Sequence, residues 1–176
     1  MDGSGEMTGD STRCVHSSLD PEVTTGSVHT PIFQTSTYVQ KDFSEHLGYE
    51  YARGDNPTRN ALQRALAEME SPHQEAFGFC FGSGMAAITT ISQMLQQGDH
   101  VIACDDLYGG TVRLFDQIAS RFGIETTYSP LKSGDLADIV RENSKILWLE
   151  SPTNPLLTVH DIKSLAAEAK EHGLIV

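Results

Sequence analysis

From Phe77 to Val176 the sequence alternates short apolar runs with amphipathic stretches, a rhythm that leaves few folds open. Phe77 to Phe81 (FGFCF) has the length and aromatic content of a buried strand, and Gly82-Ser83-Gly84-Met85 follows as a turn. Ala86 to Gln97 then reads as a helix, with Ile88, Ile91, Met94 and Leu95 on one face and Gly98 as its stop. The pattern repeats: strand Val101 to Cys104, helix Thr111 to Phe122 stopped by Gly123, strand Ile124 to Ser129 and short helix Asp135 to Glu142. Strand Ile146 to Leu149 and helix Asp161 to His172, stopped by Gly173, come next, and Leu174-Ile175-Val176 opens one more strand. Such alternation predicts an α/β fold: a mainly parallel sheet, helices on both faces, and ligands at the carboxyl ends of the strands.

The Gly82–Met85 turn combines two properties. Its glycines accept positive φ and let another group approach the backbone. The helix behind it aims unpaired N–H groups and a positive dipole end over the turn, which suits a phosphate. Gly82, Gly84 and Ala87 also match G-x-G-x-x-A, and Asp105 lies about twenty residues on, where a dinucleotide fold places its ribose carboxylate. A tight turn with no ligand would show the same glycines, so the motif alone leaves these readings open.

The other strand ends weigh against a dinucleotide. Asp105-Asp106-Leu107-Tyr108-Gly109-Gly110-Thr111 puts an aromatic ring at the carboxyl edge, with glycines beside it leaving room. Glu150-Ser151-Pro152-Thr153-Asn154-Pro155 fixes a stiff loop holding a polar amide at the same edge. Upstream, Tyr51 and Arg53 offer a phenol and a guanidinium, both good phosphate donors. A phosphate nest, an aromatic face, an amide and an arginine suit a planar phosphorylated heteroaromatic, and pyridoxal 5′-phosphate fits them better than NAD. Taken singly, Tyr108 reads as a half-buried strand-end aromatic, Arg53 as a surface charge and Asn154 as a turn former.

Upstream of the alternating part, residues 1–11 are rich in Gly, Ser and acids and read as a disordered tail. Residues 12–55 hold no helical period for long and read as an extended arm clamping a neighbouring subunit. Residues 56–176 read as the first part of a larger cofactor-binding domain. Asn56-Pro57 opens a helix there, Leu62, Leu66 and Met69 space its buried face, and Ser71-Pro72 ends it. The chain carries 24 acids against 12 Lys and Arg, a formal charge of −12, which disfavours nucleic acid and anionic membranes as partners. No apolar run reaches membrane-spanning length, and MDGSGEMTGDS lacks the regions of a signal peptide. Cys80 and Cys104 read as buried small hydrophobes, and with Cys14 they make no disulfide framework, which suits a reducing cytoplasm. The histidines His29, His46, His73, His100 and His160 show no metal-ligand spacing and read as surface or structural, so no metal site is expected. Asp105 and Asp106 read as surface acids or as supports of the loop bearing Tyr108.

The ordered segments TGSVHTPIFQTSTY, YARGDNPTRNAL, FGSGMAAI, GDHVIACDDLYGGT and LWLESPTNPLLTVHDI resemble the Cys/Met-metabolism family of pyridoxal-phosphate enzymes, cystathionine γ-synthase and γ-lyase among them. The resemblance covers nearly all of the chain after Thr12. It implies an aspartate-aminotransferase-like (type I) fold in a homotetramer built from dimers, acting on sulfur amino acids or homoserine esters. It also implies that Gly84 and Met85 give N–H groups to the cofactor phosphate, and that Tyr51 and Arg53 reach the phosphate bound in a neighbouring subunit. Tyr108 would stack on the pyridine ring and assist proton movement, and Asn154 would bond the cofactor's phenolic oxygen. Tyr108-Gly109-Gly110-Thr111 resembles the γ-synthase and γ-lyase branch.

One part of the family's pattern is not found. The family binds its cofactor covalently through a lysine in a Ser-x-[Ser/Thr]-Lys context, and Lys41, Lys132, Lys145, Lys163 and Lys170 all lack it. With the last strand also left open, the sequence reads as a fragment inactive by itself. Two other classes stand beside this reading: a nicotinamide-dependent oxidoreductase resting on Gly82, Gly84, Ala87 and Asp105, and a non-catalytic oligomerisation module.

Overall fold

The computed structural model describes residues 9–17, 20–43, 45–132 and 134–176, so residues 1–8 of the predicted tail lie outside the described part. The chain forms two compact units, Met1–Cys80 and Phe81–Val176.

In the first unit the stretch expected to be irregular contains a helix, α1 (Asp10–His16). Asp10 in its first turn, Arg13 and His16 in its last, and a 3.2 Å Arg13–Asp10 ion pair all favour the helical macrodipole. A small antiparallel ribbon, β1 (Gln40–Asp42) with β2 (Glu45–His46), follows, between hydrogen-bonded turns at Glu22–Ser27 and Tyr51–Asp55. Helix α2 (Pro57–Glu70) starts and stops where the sequence predicts. The Asn56 side chain accepts from the N–H groups of Thr58 and Arg59 at 2.9 and 3.2 Å, and Ser71 is the C-cap. The same end gathers the arm: Asn56 Nδ2 donates to Phe33 O at 3.1 Å, and Thr58 Oγ1 donates to Pro31 O and accepts from Phe33 N, both at 2.9 Å.

Two expectations for this unit fail. Leu62, Leu66 and Met69 share a face as predicted, yet they are 53, 52 and 40% exposed. The 77–81 run makes no strand, and Phe77 and Phe79 are 78 and 75% exposed. A strand is defined by its ladder, and no described strand pairs with this one. Gln63 of α2 supplies part of what a ladder would: its Oε1 accepts from Cys80 N at 2.9 Å, and a side chain at Gly78 would meet the Gln63 carbonyl oxygen at 2.2 Å. Cys80 is therefore half-buried rather than buried.

The second unit carries a parallel sheet in the order β4–β3–β5, with β3 (His100–Cys104) between β4 (Glu125–Ser129) and β5 (Ser144–Trp148). Ala103 lies opposite both Tyr128 and Trp148, and Ile175 adds one parallel bridge to Ile146. Every residue of β3 is buried, as expected for the middle of a parallel sheet. Helix α3 (Gly84–Ser92) precedes β3, α4 (Gly109–Arg113) follows it, α5 (Asp135–Ile139) precedes β5, and α6 (Ile162–Glu171) precedes the last bridge. The predicted helix after β3 is continuous to Phe122 but changes pitch. Leu114–Ile118 widens to a π turn, Ala119–Phe122 tightens to 3₁₀, and Gly123 closes it at φ +76°. Val101, Ile102, Phe115, Leu136, Leu147 and Leu165 lie at the centre of the core, with Phe115 edge-on to Trp148 at 5.5 Å.

Helix α3 stops at Ser92, short of the predicted Gln97. Thr90 Oγ1 and Ser92 Oγ bond back to the carbonyls of Ala86 and Thr89 at 2.8 and 2.7 Å, and Gln93, Met94 and Leu95 close as turns. Of the predicted face only Leu95 is packed against the core cluster; Ile91 and Met94 are 42 and 60% exposed.

Candidate cofactor site

The carboxyl ends of β3 and β5 and the start of α3 bring three of the second unit's features together. The first is the glycine turn. Ser83 caps α3, its Oγ accepting from Ala86 N at 3.2 Å while its carbonyl accepts from Ala86 and Ala87. Among the described residues no acceptor takes the Gly84 or Met85 N–H, and a Cβ at Gly82 or Gly84 would meet no atom within 4 Å. The turn thus presents two donors at a helix N-terminus with space over them.

The second is the loop after β3. Leu107 is 5% exposed and anchors it, and Tyr108 beside it is 45% exposed. Gly110 explains how this loop meets the turn. A side chain there would lie 2.4 Å from Tyr108 Cε1 and 2.8 Å from Met85 Sδ. Only hydrogen in place of a Cβ lets the Tyr108 ring and the Met85 thioether converge on that backbone. Met85 and Tyr108, predicted from separate motifs, are neighbours across one glycine.

The third is the loop after β5. Asn154 is exposed at its tip, between Ser151–Pro152 and Asn154–Pro155, both cis. Thr153 is 1% exposed. Its N–H donates to Thr158 O at 2.9 Å and its Oγ1 accepts from Thr158 N at 2.8 Å, closing the loop on itself. Two carboxylates then join the loops. Glu150 Oε2 accepts from Tyr108 N at 2.8 Å, and Asp106 Oδ2 accepts from Leu156 N at 3.0 Å and from Thr153 Oγ1. Asp106 therefore supports the Asn154 loop, while Glu150, which the sequence did not single out, supports the Tyr108 loop. Burial pushes the Cys104 thiol up from its ordinary value, and its Sγ lies 3.7 Å from Asp106 O, so it behaves as a packed hydrophobe.

Tyr51 and Arg53 belong to the first unit. The Arg53 guanidinium carbon stands 5.0 Å from the Tyr51 ring centroid, and Tyr51 is 42% exposed. Arg59, missed by sequence reasoning, holds their turn from α2: its Nη1 donates to Ala52 O at 3.1 Å and its Nη2 to Gly54 O at 2.7 Å. A groove of about 750 Å³ in this unit, walled by Arg13, Arg64, Glu68 and Glu75, contains none of these residues. No three His, Cys, Asp or Glu gather to hold a metal ion among the described residues.

A parallel α/β sheet with a glycine turn at a helix N-terminus and an aromatic loop at its carboxyl edge defines a class of phosphorylated-cofactor proteins. The comparisons specify it further. Residues 11–176 match the family model described as Cys/Met metabolism PLP-dependent enzyme, and the chain belongs to that family. It is 44% identical over 167 residues to a probable cystathionine gamma-synthase of Herpetosiphon aurantiacus, covering 94% of this chain and 51% of that protein. It is 43% identical over 166 residues to a cystathionine beta-lyase of Coxiella burnetii, covering 93% and 42%. A crystal structure of cystathionine gamma-lyase from Lactobacillus plantarum complexed with L-serine superposes with a TM-score of 0.86 at 37% identity, covering 95% of this chain and 43% of that one. The fold is the corresponding part of the type I pyridoxal-phosphate fold. The chain spans about half the length or less of the curated relatives it matches.

Proposed function

We propose that residues 56–176 build part of a pyridoxal 5′-phosphate site in an enzyme that processes cystathionine or related sulfur amino acids. The observation that carries this reading is Gly110, where a phosphate-type turn and an exposed aromatic ring meet with room for hydrogen alone. Gly84 and Met85 would donate their N–H groups to the phosphate. The Tyr108 ring face would lie against the pyridine ring, its phenol placed to hold or pass a proton at the substrate amine. Asn154 would donate its amide to the phenolic oxygen of the cofactor. Bound pyridoxal phosphate supplies an electron sink for negative charge at the substrate α-carbon.

The arm, residues 12–55, would carry Tyr51 and Arg53 to the phosphate site of a neighbouring subunit in a homotetramer in the cytoplasm. No helix among the described residues is long and apolar enough to cross a membrane. None of the chain's lysines would serve as the covalent anchor, so the chain alone would bind the cofactor reversibly and not turn over substrate. Relatives named as γ-synthase and β-lyase match with nearly equal identity, so identity does not choose between replacement and elimination.

The test is visible absorbance of the purified chain titrated with pyridoxal 5′-phosphate, before and after borohydride, with inorganic phosphate as competitor and NAD as control. Saturable uptake displaced by phosphate, with no borohydride-fixed lysine, is expected. Uptake of NAD in place of pyridoxal phosphate would overturn the reading, and a single borohydride-labelled lysine would overturn the reversible-binding clause.

A further inference from the structure

We infer that Asp106 and Glu150 are positioning residues that cross-tie the Tyr108 and Asn154 loops, so that each loop's geometry is set by a carboxylate standing on the other. The inference rests on the proposed cofactor reading only for what the tie is for; the tie itself is geometry. Asp106 follows β3 and bonds forward across 47 and 50 residues to Thr153 Oγ1 and Leu156 N. Glu150 follows β5 and bonds back across 42 residues to Tyr108 N. The two strands they follow are hydrogen-bonded neighbours in register at Ala103 and Trp148, so the ties run in opposite directions from adjacent strand ends.

Three features make this more than two local turns. Each carboxylate accepts from a backbone N–H, a charge-assisted bond of the stronger kind. Leu107, between Asp106 and Tyr108, is 5% exposed, and Thr153 at the heart of the second loop is 1% exposed. Neither loop can swing without breaking a bond rooted in the other strand. The residues the ties flank, Tyr108 and Asn154, are themselves exposed. Rigid carboxylates beneath exposed functional side chains hold a ring and an amide at one spacing, as a planar ligand requires.

The tie predicts reciprocity, which a set of independent turns does not. Amide exchange at residue resolution on the full chain reads it directly. Glu150→Gln removes the charge from the bond to Tyr108 N, and Thr153→Val removes the hydroxyl donated to Asp106. Each is expected to speed exchange about tenfold at its near amide, Tyr108 for the first and Thr158, which donates to the Thr153 hydroxyl, for the second, and also at the amide across the tie, Leu156 for the first and Tyr108 for the second. Thr153→Ser keeps the hydroxyl and should restore protection at Tyr108. Acceleration confined to each variant's near amide, Tyr108 or Thr158, overturns the inference, and so does Thr153→Ser behaving like Thr153→Val. Should either variant fail to fold, Asp106→Asn gives the same readout from the other side.

A second measurement separates this from the cofactor reading. Pyridoxal 5′-phosphate bound to the chain should lose severalfold of its visible circular dichroism in Glu150→Gln and Thr153→Val. Inorganic phosphate, held by the α3 end, should compete with unchanged affinity. Reciprocal exchange with no pyridoxal phosphate uptake by the unaltered chain leaves the tie standing and removes the cofactor reading. Uptake with an unchanged dichroic signal in both variants removes the positioning role.

Discussion

The two ends of the parallel sheet are built on opposite principles. At the amino end polar groups close on one another. His100 is fully buried, its Nδ1 2.7 Å from Ser144 Oγ and its Nε2 2.8 Å from Thr127 Oγ1. Arg141 joins the same hydroxyls, its N–H donating to Ser144 Oγ at 2.8 Å and its Nη2 to Thr127 Oγ1 at 3.1 Å. Left-handed backbone at this end falls on glycines, Gly98 at φ +91° and Gly123 at +76°, where it costs little. At the carboxyl end Gly134 is left-handed at φ +88°, but so are two leucines, Leu131 at φ +50° and Leu157 at +60°, and Tyr108 and Asn154 are exposed there. Paired polar groups and relaxed turns dominate one end, where Thr126 Oγ1 is nevertheless buried without a partner; strain and the exposed candidate side chains collect at the other, where a ligand would be held.

The largest expected effect lies at the closed end. Ser144→Ala removes a partner of buried His100 and the acceptor for Arg141 N together. It should cost about 1–3 kcal/mol in urea unfolding, since a buried polar group is left unpaired. Amide exchange at Tyr108 and Leu156 should not change. A loss below about 0.5 kcal/mol would mean the closed end does not carry the stability assigned to it.

Gly110→Ala sharpens the contrast from the open end. The new methyl must displace the Tyr108 ring and the Met85 thioether, both flexible side-chain ends, so the stability cost should stay near about 1 kcal/mol. The site should suffer more: pyridoxal 5′-phosphate affinity is expected to fall by about tenfold or more, because the ring loses its place relative to the turn. Equal losses from an alanine at Gly109, whose Cβ would meet only Arg113 Nη1 at 3.4 Å, would show that the contact at Gly110 is not special.

What the sequence discloses follows the range of the interaction that fixes each feature. Caps and stops act within one turn, so Asn56-Pro57, Ser71, Gly123 and Gly173 were legible, as were the β3 and β5 runs. The 77–81 run and the Leu62–Met69 face failed because burial and ladders need a distant partner that no local pattern names. The site divides the same way. Gly84, Met85, Tyr108 and Asn154 sit in motifs, while Glu150 and Asp106 act across more than forty residues and Gly110 through the convergence of two segments. His100 could have been suspected of burial: it opens a strand, HVIAC, that is otherwise wholly apolar.

Acid should weaken the closed end first. Burial, and next the Arg141 charge, holds the His100 imidazole below its ordinary value, so the fold favours its neutral form. The linked stability is fully present above the unfolded value of about 6.5 and is lost as pH falls through the lower folded value, with a slope of at most about 1.4 kcal/mol per pH unit. Urea midpoints measured from pH 7.5 to 5 should fall in the unaltered chain and flatten in His100→Gln. A profile unchanged by that substitution would assign the acid sensitivity elsewhere.

The smallest effect tests the strain at the open end. Leu131 and Leu157 share a left-handed backbone, yet Leu131 is 3% exposed and Leu157 is 72% exposed. Core burial offsets the backbone cost at the first and offers almost nothing at the second. Leu157→Gly should relieve about 1–2 kcal/mol of steric cost against about 0.5–1 kcal/mol of added freedom in the unfolded chain, a net gain of about 0.5 kcal/mol. Leu131→Gly should instead destabilise by several-fold more than that, since it also empties a core position. If Leu157→Gly destabilises, the exposed leucine has a role in the folded loop that its backbone strain serves. If it stabilises and pyridoxal 5′-phosphate affinity falls with it, the strain belongs to the geometry of the site rather than to chance.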